Sequence, residues 1–181
     1  MSRGQTAKLA LTALAQDSRG VSLIEFAISL PFLILLFTGS FQLSDAVAAN
    51  RKVTMAARTI ADLTSQYTVV SDSDLDTILN ASQQVMAPYA VKDATMTVTL
   101  VKTDLLYRST VDWSEGKNTS GLRPGTAFNL PVAIKQPGTS LIVAQVVYAY
   151  KPTFGMAYIG TIPLAETIIM SPRGSSTINH S

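Results

Sequence analysis

The chain has 181 residues, enough for one compact domain with an appendage, and 47% of them are hydrophobic. With 14 Lys and Arg against 12 Asp and Glu the net charge is +2, so there is no basic face of the kind that neutralises nucleic-acid phosphates. The absence of cysteine excludes a disulfide framework, a thiol nucleophile and any Cys-ligated metal.

Residues 1–20 form a polar, basic leader in which Arg3, Lys8 and Arg19 face only Asp17. The run VSLIEFAISLPFLILLFTGSFQL follows from Val21, and no charged side chain occurs from Phe26 to Ser44, about the length of a bilayer-spanning helix. Cations precede this run, whereas the first charges after it are mixed (Asp45, Arg51, Lys52). The positive-inside bias therefore predicts a single pass through the inner membrane, with a cytoplasmic N-terminus and a periplasmic or extracellular C-terminal domain. A cleaved secretory signal fits less well. The apolar run is too long, and its nearest small-residue site, AVAAN at 46–50, lies in continuing helix.

Past the span, Val53, Ala57, Ile60, Ala61, Thr64 and Tyr67 recur at three- and four-residue spacing, and no Pro or Gly intervenes from Ser40 to Tyr67. The pattern predicts one helix over 21–68, on the order of 70 Å long at 1.5 Å per residue. Ser71 and Asp74 then form a helix-start signature, with Leu75, Ile78, Leu79, Val85 and Met86 inward and a stop before Pro88.

The second half changes period. Residues 94–101 alternate with β-branched side chains, Ser109 to Trp113 reads as a second strand, and Ser114 to Gly121 is rich in turn residues. Pro124-Gly125, Pro131 and Pro137-Gly138 mark a loop. Residues 140–150 are apolar on both faces, which predicts a central strand, and a turn over 155–162 leads to a last strand at 164–170. The expected fold class is α+β: a long N-terminal transmembrane helix extending into a small extracytoplasmic domain (69–173), with a second helix and an antiparallel sheet of three or four strands, then a polar tail at 174–181.

No enzyme chemistry is legible, and no cofactor is expected. The single histidine, His180, is expected to be disordered in the polar tail and cannot build a catalytic pair or a metal site. Asp72, Asp74 and Asp76 have calcium-loop spacing but lack the glycine and the closing glutamate, so helix capping is the better account. Trp113 beside Asp112 reads as core packing or, less readily, as a contact surface. Asn118-Thr119-Ser120 is a formal glycosylation sequon that carries little weight here.

The stretch RGVSLIEFAISLP resembles that of the TadE-like family, membrane pseudopilins of the tight-adherence (Tad) type IV pilus machinery. Its pattern is a basic residue and glycine (Arg19-Gly20), Glu-Phe a few residues into the apolar helix (Glu25-Phe26), then proline (Pro31). Ala56-Ala57-Arg58, the run from Tyr148 to Pro152 and the closing Met170 to Arg173 are also similar, though less specific.

The resemblance implies a minor pilin or pseudopilin whose leader a prepilin peptidase cleaves between Gly20 and Val21. The implied partners are the inner membrane, that peptidase, other Tad pseudopilins or pilins, and the pilus assembly platform. Glu25 would then meet the freed amino terminus of a neighbouring subunit, offsetting the expense of a charge in an apolar helix. Alternatively Glu25 snorkels to the headgroups, Gly20 is a mere helix boundary, and the chain is a permanently anchored periplasmic binding or scaffold module with no leader processing. Pro31 removes a backbone donor and is expected to kink or locally loosen the helix.

Overall fold

The computed structural model describes residues 19–154 and 160–181. The expected basic leader through residue 18 and residues 155–159 of the expected turn lie outside them. The chain divides into two compact units, one ending at Leu43 and the other comprising Ser44–Ser181. Helix α1, Arg19–Ser65, contributes to both, as its uninterrupted helical sequence predicted.

In the first unit α1 is apolar all round. An 18-residue stretch has a mean hydropathy of 2.2 and no buried residue. Leu23 and Phe37 are each 72% exposed. Its hydroxyls turn back onto the helix: Ser29 Oγ donates to the Glu25 carbonyl at 2.8 Å and Thr38 Oγ1 to that of Ile34 at 2.8 Å. A helix satisfies its own backbone, and these bonds satisfy its hydroxyls too, as residence in hydrocarbon requires. The helix continues through Pro31.

In the second unit the same helix becomes one-sided. Ala49, Val53, Ala56, Ala57, Ile60 and Ala61 are fully buried in the main core. Their small side chains let the helix axis lie close to its neighbours, and the three- and four-residue spacing keeps them on one stripe.

A two-residue strand β1, Val69–Val70, leads to α2, Asp72–Val85. The predicted capping box is present: Ser71 Oγ accepts from the Asp74 amide and the Asp74 carboxylate accepts from the Ser71 amide. The Ser71 hydroxyl, which donates to the Asp74 carboxylate at 2.6 Å, and then the Ser71 amide hold that carboxyl below the usual carboxylate range. Helix α2 buries Leu75, Ile78, Leu79 and Ser82.

Four antiparallel strands follow: β2 Ala94–Thr103, β3 Ser109–Lys117, β4 Ser140–Tyr150 and β5 Ile162–Met170, in spatial order β3-β2-β4-β5. Strand β4 is central, as its two apolar faces predicted. One face sends Met96, Val98, Leu100, Ile142, Ala144 and Val146 into the core shared with the helices. The other sends Val101, Leu141 and Val143 against Leu130 and Phe128 of the long loop. A register shift between Leu100 and Val101 accommodates the change in pairing with β3.

Two stretches depart from their sequence-based expectation. Strand β3 runs on to Lys117, because Ser114–Lys117 pair with Met96–Thr99. The glycines that suggested a turn serve close packing instead. A Cβ at Gly116 would lie 2.6 Å from the Thr119 carbonyl oxygen, and one at Gly121 would collide with that of Ser114.

The C-terminal residues, expected as a polar tail with a disordered His180, carry strand β6, Asn179–His180, paired in parallel with β1. Ile178 is fully buried, and Trp113 Nε1 donates to its carbonyl at 3.0 Å. The His180 ring stacks on Trp113 at 5.7 Å, and its Nε2 lies 2.9 Å from Asp72 Oδ1. Arg173 adds an ion pair to Asp62 at 2.6 Å, and its amide donates to the Ser65 carbonyl. Polar residues conceal one apolar anchor, Ile178, which periodicity in so short a strand cannot reveal.

This clasp should be measurable. Ile178→Ala is expected to destabilise the chain by about 2–4 kcal/mol, the range for a large buried aliphatic truncated to alanine. Urea unfolding of the detergent-solubilised full chain, followed by fluorescence of Trp113, reads it directly. An unchanged midpoint would show that the C-terminal strand adds nothing to the core.

Candidate functional site

Gly20, Val21, Glu25, Phe26 and Pro31 all lie on the first-unit part of α1. Their spacing is therefore helical, and all five are exposed. The Glu25 carboxylate has no hydrogen-bond or ion-pair partner among the described residues; only its backbone carbonyl is engaged, by Ser29. A Cβ at Gly20 would meet nothing within 4 Å. Among the described residues, neither packing nor backbone conformation demands glycine there. Pro31 cannot donate to the Ala27 carbonyl four residues back, which opens one rung of the helix without ending it. The five residues thus form an exposed helical segment whose side chains find no tertiary partner among the described residues.

A second cluster escaped the sequence reading. Asp45, noted there only as the first charge past the apolar run, is gripped by two phenols from distant parts of the chain. Tyr89 OH donates to its Oδ1 at 3.0 Å, and Tyr150 OH donates to its Oδ2 at 2.7 Å. Tyr89 follows α2 and Tyr150 ends β4, so one carboxylate ties the beginning of the second unit to both. The ring of Tyr148 packs at 5.8 Å from that of Tyr89 in a tilted pair, and Lys151 holds Asp93 at 2.7 Å. Burial, reinforced by the Asp45 carboxylate, pushes the phenols of Tyr89 and Tyr150 up to about 12. Farther along α1, Thr54 Oγ1 donates to Glu166 Oε2 at 3.2 Å, a bond between the helix and β5. The partners of Asp45 stand 44 and 105 positions away, beyond the reach of any local pattern. The arrangement is structural: each carboxylate oxygen of Asp45 accepts from one phenol.

Together the fold and the segment define a protein with one helix long and apolar enough to cross a membrane, followed by an α+β unit. Residues 20–62 match the family model described as TadE-like protein, and over that stretch the chain is TadE-like. The match takes in the apolar run, Glu25, Pro31 and most of the alanine-rich stripe. No curated protein and no solved structure matches the chain.

The Asp45 cluster makes a pH prediction. Folding raises both phenols above their ordinary value of 10, so the folded state holds the protonated forms more tightly than the unfolded chain does. Their contribution to stability is intact below pH 10 and is lost as pH climbs toward about 12. Asp45→Asn should bring both midpoints part of the way back down, leaving the effect of burial. Ultraviolet titration of tyrosinate, with Tyr89→Phe and Tyr150→Phe to assign the signals, checks this; midpoints unmoved by Asp45→Asn would remove the carboxylate as a cause.

Proposed function

We propose that the protein is a non-enzymatic minor pilin or pseudopilin that takes part in biogenesis of a Tad-type pilus. In this reading a prepilin peptidase cleaves between Gly20 and Val21, and the chain stands in the inner membrane with residues 44–181 on the periplasmic or extracellular side. The observation that carries the proposal is the TadE-like match over residues 20–62, which begins at the proposed cleavage glycine.

The chemistry of the segment supports it. Glycine before the scissile bond presents an unobstructed backbone to a membrane protease, and no packing need of this chain competes as its explanation. Glu25 sits unpaired in an apolar helix, where a charge is expensive until it finds a partner. The amino group created at Val21 of a neighbouring subunit is such a partner. Pro31 frees the Ala27 carbonyl and gives the helix a point at which to yield during extraction from the bilayer. The domain contributes contacts rather than catalysis: its histidine is committed to Asp72 and Trp113.

Intact mass of the membrane-extracted protein, from cells with and without a prepilin peptidase, tests the reading. A chain beginning at Val21 is expected only where the peptidase is present, and Gly20→Ala should block its appearance by at least about tenfold, a loss of about 1.4 kcal/mol or more in effective recognition. Glu25→Ala should leave cleavage intact while lowering recovery of the protein in pilus-assembly complexes. A leader retained in both strains sinks the proposal in favour of a permanently anchored scaffold.

A further inference from the structure

At the end of the sheet opposite Tyr148 and Tyr150, the β2–β3 hairpin carries three consecutive exposed apolar side chains. Leu105 is 82% exposed, Leu106 73% and Tyr107 57%. In the following loop Val132 is 89% exposed. A run of this kind on a soluble surface is unfavourable unless something covers it.

The hairpin is also held rigid. Asp104 Oδ1 accepts from the amides of Leu106 at 2.9 Å and Arg108 at 2.7 Å, and its Oδ2 accepts from Arg108 Nε at 2.8 Å. Tyr107 sits at φ 59, a left-handed conformation that disfavours a bulky side chain. A loop with no task would relax this strain and fold its leucines away. Here one aspartate accepts three hydrogen bonds that fix the tip in a single arrangement, which lowers the entropy lost on binding.

Beside the tip lies an open cleft of about 680 Å³, lined among others by Tyr107, Arg108, Thr110, Phe128, Asn129 and Lys135. Its charge is one-sided. Arg108 is neutralised by Asp104, whereas Lys135 has no ion-pair partner among the described residues. The loop 118–139 carries Arg123 and Lys135 and no carboxylate. Tyr and Arg beside apolar anchors, with a surplus of cations at the rim, is the composition of a protein-binding centre.

We infer that the β2–β3 tip and the adjoining cleft form a docking surface for a different protein, one presenting apolar side chains flanked by carboxylates. A flat bilayer surface would meet the leucines but leave the cleft, with Thr110 and Asn129 in its wall, unfilled. A second copy of the chain is a poorer complement, because six of its aspartates, Asp62, Asp72, Asp76, Asp93, Asp104 and Asp112, are already in ion pairs. The inference rests on the second unit alone and does not depend on leader cleavage.

The test uses the full chain in the membrane of the cells that produce it, with a benzophenone amino acid in place of Leu106 and, as control, in place of the exposed Gln84 on α2. Irradiation should give a heterologous protein adduct at position 106 that is absent at position 84. Its cross-linked peptide should contain Asp or Glu next to apolar residues. Lys135→Glu should lower the yield by about fivefold or more, while Lys135→Arg should preserve it, since the attraction follows the sign of the rim charge. Unchanged Trp113 emission in both variants certifies the fold. Adducts to phospholipid or to a second copy, a yield indifferent to the charge at 135, or no adduct above the Gln84 control would each overturn the inference. Intact mass at Val21 reads the leader alone, so a failure there is separable from a failure here.

Discussion

One uninterrupted helix, α1, is apolar all round in its first part and one-sided in its second, and most of the molecule follows from how its side chains divide the work. Through Leu43 the helix exposes apolar side chains around its circumference, with the hydroxyls of Ser29, Thr38 and Ser40 bonded back to carbonyls. Beyond Ser44 the apolar positions narrow to a single stripe of alanine, valine and isoleucine, and the sheet and α2 supply its other half. An α-helix is suited to this because its backbone hydrogen bonds are all internal and make no demand on either surroundings. The change from full circle to stripe is the physical boundary between the units.

At the beginning of the second unit α1 must be linked to the elements that pack on it. Asp45 answers that by holding two tyrosines that arrive from the end of α2 and the end of β4. At the other end of the α1 stripe the C-terminal residues perform the same service. Arg173 holds Asp62, the Asn179 amide donates to the Thr68 carbonyl, and Ile178 fills the core under Trp113. The α1 portion of the unit is thus tied at both ends by residues remote in sequence, and packed by small side chains in between.

Glu25 has the opposite character. Nothing among the described residues satisfies it, in a stretch where the other polar side chains with described bonds return them to the helix. The Leu105–Tyr107 tip repeats that situation with apolar rather than charged groups: a feature unfavourable in isolation, held in place by a specific device. An unpaired charge among the described residues of one unit and an exposed apolar tip in the other are the two features on which the proposed partners rest.

The sequence by itself determined the helices and the order of the strands, because each rests on local periodicity. The unbroken apolar run and the alanine stripe specify α1, Ser71 and Asp74 specify the start of α2, and the alternating or doubly apolar runs specify β2 and β4. It also placed Gly20, Glu25 and Pro31 within a few turns of one helix. Only the tertiary structure decided what Asp45, Ile178 and His180 do, since their partners are tens of residues away and their types alone suggest a surface and a tail. It likewise turned Gly116 from a turn residue into a strand residue, because the need for glycine there comes from the approach of Thr119 and not from a backbone angle. Short-range order follows from neighbours along the chain; a carboxylate's partners or an isoleucine's burial follow from which distant segments the core brings together.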